Sequence, residues 1–95
     1  MIITPEIQVY NFTSEERIYE DNGVKFQHLG TIKIKERIFI IYKVLSSQKI
    51  YIEEAVSNKL TDNLVDIAHL KVIEDDNLWK MLILIARKEG IISLP

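Results

Sequence analysis

Residues 17–29 read RIYEDNGVKFQHL, and this stretch decides the fold class. Asn22-Gly23 at its centre is a strong hairpin signal, because both central residues of a type I′ turn need positive φ. A two-residue turn there sets Asp21 opposite Val24, Glu20 opposite Lys25 and Tyr19 opposite Phe26. One opposite-charge pair and one aromatic pair then fall into register together, each contributing roughly 0.2–1 kcal/mol.

Working outward, the N-terminal segment alternates Ile3, Pro5, Ile7 and Val9 with Thr4, Glu6, Gln8 and Tyr10, a half-buried strand. Proline cannot donate to a ladder, so this strand lies at a sheet edge or begins after Pro5. Downstream, Ile32 and Ile34 alternate with Lys33 and Lys35 before RIFIIYKVL begins at Arg37. Matching apolar to apolar favours a three-residue connection at Lys35-Glu36-Arg37, with Ile34 against Ile38 and Ile32 against Ile40. SSQK then turns the chain into KIYIEE, where Ile50 and Ile52 alternate with Tyr51 and Glu53.

Residues 57–74, SNKLTDNLVDIAHLKVIE, fit two patterns. A helix from about Asn58 places Leu60, Leu64, Ile67 and Ala68 on one face and Asp62, Asp66 and His69 on the other. A turn at Thr61-Asp62-Asn63 would instead continue the meander. The favoured reading is a short helix followed by a strand over Leu70–Ile73. The last element is a helix: Asp75 or Asp76 caps it, Arg87 and Lys88 occupy its last turn, and Gly90 comes next as the residue that ends it. Leu78, Met81, Leu82 and Ile85 form the stripe expected to pack on the sheet. The expected fold is therefore α+β, a bent antiparallel sheet or small open barrel of hairpins covered by a C-terminal α-helix, in a single domain over residues 1–95.

Composition narrows the function classes. The chain has 95 residues, 47% hydrophobic and 27% charged, as ordinary globular proteins do. With no cysteine there is no disulfide, zinc-thiolate site or thiol nucleophile. The N-terminus lacks the basic region of a signal peptide and no apolar run reaches the roughly 20 residues of a spanning helix, so a cytoplasmic or virion setting is expected. Seventeen isoleucines beside three alanines, and nine lysines beside three arginines, match the usage of an AT-rich genome. On that association a viral or mobile-element origin is expected.

Catalytic and metal chemistry have little to stand on. The motifs for phosphate loops, nucleophile elbows and HExxH zinc sites are absent. Asp62, Asp66 and His69 could converge on one helical face, but a solvated face explains them as well and no fourth ligand is at hand. His28 reads as a surface strand histidine held unprotonated by Arg17 across the hairpin. No catalytic residue, metal site or cofactor is assigned.

Two interaction readings remain. The net charge of −2 hides a basic middle: residues 24–52 carry six basic side chains against Glu36 alone. In the three-residue-loop register Lys33, Lys35, Arg37, Phe39 and Lys43 share one face, cations around a ring as in single-stranded nucleic-acid platforms. The other reading concerns the helix. From Leu78 to Ala86 only Lys80 is polar, more apolar surface than one sheet needs to cover. Trp79, Lys80, Ile83, Leu84 and Arg87 would form an apolar centre with a cationic rim, which resembles interface anatomy. A small non-enzymatic interaction subunit, adaptor or inhibitor that self-associates or docks through this helix is the leading expectation. Single-stranded nucleic-acid binding is the alternative.

Overall fold

The computed structural model describes residues 6–56, 60–61, 64–65 and 70–92. Six strands form one open antiparallel sheet: β1 (Ile7–Asn11), β2 (Ile18–Asp21), β3 (Val24–Ile34), β4 (Arg37–Val44), β5 (Lys49–Ala55) and β8 (Leu70–Val72). Between β5 and β8, β6 (Leu60–Thr61) pairs with β7 (Leu64–Val65), and α1 (Asp76–Lys88) comes after β8. The α+β expectation holds, and the sheet does not close into a barrel.

The Asn22-Gly23 hairpin forms in the expected register, with Tyr19 opposite Phe26 and φ values of 51° and 79° at the turn. Its second strand then continues. β3 runs eleven residues and has two successive partners on its outer side, β2 along Val24–Gln27 and β1 along Gly30–Ile34. The changeover coincides with an irregularity between His28 and Gly30 on the β4 side. Two backbone bonds bridge it, His28 N–H to the Arg17 carbonyl at 2.8 Å and Phe12 N–H to the Leu29 carbonyl at 2.8 Å.

Two expectations need correction. The β3–β4 connection has two residues, Lys35-Glu36, so Ile34 faces Arg37, Lys33 faces Ile38 and Ile32 faces Phe39. Lys35 itself takes the positive φ, 55°, where glycine or asparagine was expected. Apolar matching misleads here because both sheet faces are buried. Phe39 and Ile41 join Ile32, Ile52, Leu82 and Ala86 under the helix, while Ile38, Ile40 and Ala55 form a second cluster with Tyr42 and Leu70 on the opposite face. The second correction lies between β5 and β8. Leu60 pairs with Val65 and Thr61 with Leu64, so a ladder replaces the helix expected from about Asn58. Asp62, Asp66 and His69 lie outside the described residues.

α1 is capped at both ends by its own sequence. The Asp75 carboxylate accepts from the N–H groups of Asn77 and Leu78 at 3.0 and 3.2 Å, leaving fewer orphan donors in the first turn. At the other end Gly90 adopts φ 75°, with Gly90 N–H bonded to the Arg87 carbonyl and Ile91 N–H to the Ala86 carbonyl. This pair of bonds is a Schellman ending, and it returns Ile91 to the core at 4% exposure. The buried stripe differs from expectation. Leu82 and Ala86 are fully buried with Leu78, Ile83 and Ile85 beside them, whereas Met81 is exposed.

His28 is buried, not on the surface. Its Nε2 lies 3.0 Å from the Gly30 carbonyl oxygen and 2.9 Å from Thr31 Oγ1, and the Phe12 ring packs 4.9 Å away. Burial lowers its pKa to about 4, the bond to Gly30 opposes the shift, and Arg17 adds to it. Unfolded, the same group titrates near its reference value of about 6.5. Between those values the unfolded chain takes up a proton that the folded chain refuses, so stability falls as pH drops from about 6.5 to 4. The loss from this group is on the order of 3 kcal/mol, complete below pH about 4. Urea titrations across that window should show a decline that His28→Gln flattens; an unchanged slope would mean another group is responsible. Gly30 provides a separate check. A Cβ there would meet Ile91 Cδ1 and the Tyr10 carbonyl oxygen, each at 2.8 Å, so Gly30→Ala should destabilise by about 1–3 kcal/mol, read as a lower urea midpoint.

Candidate interaction surface

Helical geometry divides the apolar surplus of α1. With Leu82 and Ala86 against the sheet, Trp79 and Ile83 fall on the flank toward β5 and β8, and Leu84 lies on the side away from the sheet. Trp79 is 42% exposed, Leu84 65%, and Ile83 is half-buried against the core. Lys80 and Arg87 are exposed. Of the five residues proposed from sequence, Trp79 and Ile83 enter a groove, while Lys80, Leu84 and Arg87 lie outside its lining.

That groove has a volume of about 500 Å³ and runs between the helix flank and the end of the sheet. Its walls come from Ile50, Tyr51, Ile52 and Glu53 of β5, Val72 and Ile73 at the end of β8, and Trp79, Ile83 and Ile92 on the helix side. Seven of these nine side chains are aliphatic or tryptophan. Ile50, Tyr51 and Val72 remain exposed at its mouth. Sequence reasoning missed Ile50, Tyr51, Val72 and Ile92, since alternation in KIYIEE marks a strand without saying which of its edges is paired.

The polar groups around the groove are held in place. The Tyr42 hydroxyl donates to Glu53, and its ring stacks on Tyr51 at 5.5 Å and meets Phe26 edge-on at 5.8 Å. Burial, then the bond to Glu53, raises the Tyr42 pKa well above the usual phenol range, so the hydroxyl stays a donor. At the foot of the helix Arg37 Nε and Nη2 both donate to Glu54, at 2.9 and 2.8 Å. That bidentate bond lowers the Glu54 pKa and raises that of Arg37, and the Lys71 ammonium stands 3.9 Å from the same carboxylate. These are structural ties joining β4, β5 and β8.

The basic platform does not assemble. Lys33 sits opposite Ile38 on the face away from the helix, and Arg37, Phe39 and Lys43 alternate onto the other face. Lys35 is in the turn. Phe39 has no exposed surface, and the Arg37 guanidinium lies 5.2 Å from its ring centroid, so no base can stack there. The two-residue turn is the cause, since it shifts every β4 side chain to the face opposite the expected one. Among the described residues no three carboxylate or imidazole groups converge as a metal set, and no helix is long and apolar enough to cross a membrane. Comparison with family models, with curated proteins and with solved structures finds no match to this chain.

Proposed function

We propose that this chain is a non-enzymatic interaction subunit, an adaptor or inhibitor, that docks on a protein through the α1 flank carrying Trp79 and Ile83. The observation that supports the reading is the concentration of exposed large side chains around one groove: Ile50, Tyr51, Val72 and Trp79 at 41, 40, 69 and 42% exposure. Isolated apolar side chains on a surface are common, but four beside one apolar cleft form a contiguous patch of the kind partners cover. Tryptophan at such a centre is the residue type most enriched among binding hot spots. A cytoplasmic setting suits a chain without cysteine.

Trp79 is the chain's one tryptophan, so its emission reports directly on the groove. Titration with a bound protein, or with the chain itself, should shift that emission to the blue as the ring leaves water. Trp79→Ala should weaken the association by about 2 kcal/mol, some thirty-fold, with an unchanged circular dichroism spectrum. Ile83→Glu is a poorer test, because Ile83 also packs on the core and its loss would disturb the fold. Binding should change little with added salt, in contrast to a phosphate-dependent contact. Association that survives Trp79→Ala intact, or that collapses steeply with salt, counts against the reading.

A further inference from the structure

We infer that the groove is the place of a further strand, filled when β5 of a second copy pairs edge to edge with β5 across a two-fold axis at Ile50. This deepens the function proposed above by naming the partner, and it rests on that reading.

β4 pairs with β5 along its whole length, from Lys49 to Ala55, but β8 reaches only Glu53, Glu54 and Ala55 on the other side. Among the described residues no strand pairs with the outer edge of residues 49–52. Successive side chains of a strand point to opposite faces, yet Ile50, Tyr51, Ile52 and Glu53 all line the groove. Four consecutive residues can do so only if the groove runs along the strand's edge. It lies where the next strand would lie, with Val72 and Ile73 closing one end and Trp79, Ile83 and Ile92 walling the helix side. Unpaired N–H and C=O groups along such an edge call for extended backbone, and the walls call for apolar side chains.

Among two-fold pairings of β5 with a second copy of itself, one register fits. An antiparallel two-fold centred on Lys49 sets two ammonium groups against each other, which is unfavourable. Centred on Tyr51, it drives Lys49 of the second copy into the place opposite Glu53, which Val72 already holds. Centred on Ile50, it leaves Val72 in place, because Ser47, which would fall opposite Glu53, belongs to the 45–48 turn that carries the chain back to β4. Ile50 then faces its own copy on the groove side, and Lys49 faces Tyr51 of the second copy on the other side, a cation beside a ring. Lys49, Ile50 and Tyr51 are the three consecutive exposed residues of β5, and this one register gives each of them a partner. A two-fold contact uses one patch twice and closes at the dimer, so the sheet does not grow further.

The chain's lack of cysteine makes single-cysteine cross-linking a direct test. Residues directly opposite in an antiparallel pair have Cβ atoms about 4.5–5.5 Å apart, close to disulfide range. Ile50→Cys should therefore give a covalent dimer on mild oxidation with diamide, and Leu84→Cys on the outer helix should not. In sedimentation velocity the unmodified protein should dimerise at about 10–100 µM. Ile50→Lys should weaken this at least ten-fold with circular dichroism unchanged, because Ile50 is 41% exposed and outside both buried clusters. A protein that stays monomeric throughout, or a dimer that Ile50→Lys leaves intact, overturns the two-fold seam. Cross-linking through Leu84→Cys with none through Ile50→Cys also overturns it, while leaving an interaction role for the helix standing. Monomeric protein whose Trp79 emission still responds to a different protein likewise removes the second copy and keeps the broader reading.

Discussion

The close approach at Gly30 is the constraint on which the rest of the structure depends. Three parts of the chain meet there: the Tyr10 backbone of β1, the irregular step of β3, and Ile91 returning from the end of α1. No side chain fits between them, so glycine at this position lets Ile91 close on the sheet. Ile91 arrives only because Gly90 turns the chain with a positive φ, and Asn11 Nδ2 adds a bond to the Glu89 carbonyl at 2.8 Å. The two glycines thus act together. Gly90 ends the helix in the direction of the sheet, and Gly30 makes room for the Ile91 side chain.

The same step of β3 organises the opposite face. His28 sits where β2 gives way to β1, and its imidazole bonds the backbone oxygen that a regular ladder would leave to a strand. Around it, Arg17 lies over the Phe12 ring at 3.7 Å and Phe12 packs on His28, so a cation, a ring and a neutral imidazole share one enclosure. Among the described residues no buried side-chain nitrogen or oxygen lacks a partner. Apolar clusters on both faces do not by themselves fix the register, because a one-residue slip exchanges Ile38 and Ile40 with Phe39 and Ile41; the two-residue turn at Lys35-Glu36 decides it.

That two-sided burial also explains what could be read from sequence. The Asn22-Gly23 hairpin and α1 were legible because their signals are local: turn residues with positive φ, an Asp cap, a terminal glycine. Strand alternation fails where both faces are apolar. In RIFIIYKV each parity offers a plausible inner face, so the β3–β4 register rested on turn length, and a lysine in the left-handed region gave no sequence signal. The basic platform was lost with that register. Of the helix residues, Trp79 and Ile83 were legible as surplus apolar surface, but Ile50 and Val72 were not, since their exposure depends on where β8 stops. Leu60–Val65 failed for a related reason: Leu, Thr and Val at this spacing satisfy a helical face and a short ladder about equally.

The helix dictates where β8 stops. Beyond Val72 the chain must leave the sheet plane and reach the Asp75 cap within three residues. Ile73 makes that exit by turning into the core under α1. The ion cluster of Arg37, Glu54 and Lys71 fastens the last paired positions, so β8 is secured where it ends rather than extended. Natural edges exposed in this way are usually blunted by charge, proline or a bulge. Here the stretch Lys49–Ile52, which among the described strands pairs only with β4, carries one charge at its outer end and β-branched or aromatic residues along the remainder. Among the described residues, the geometry that lets a short strand feed a helix therefore leaves β5 half-paired, next to the helix flank that carries Trp79 and Ile83.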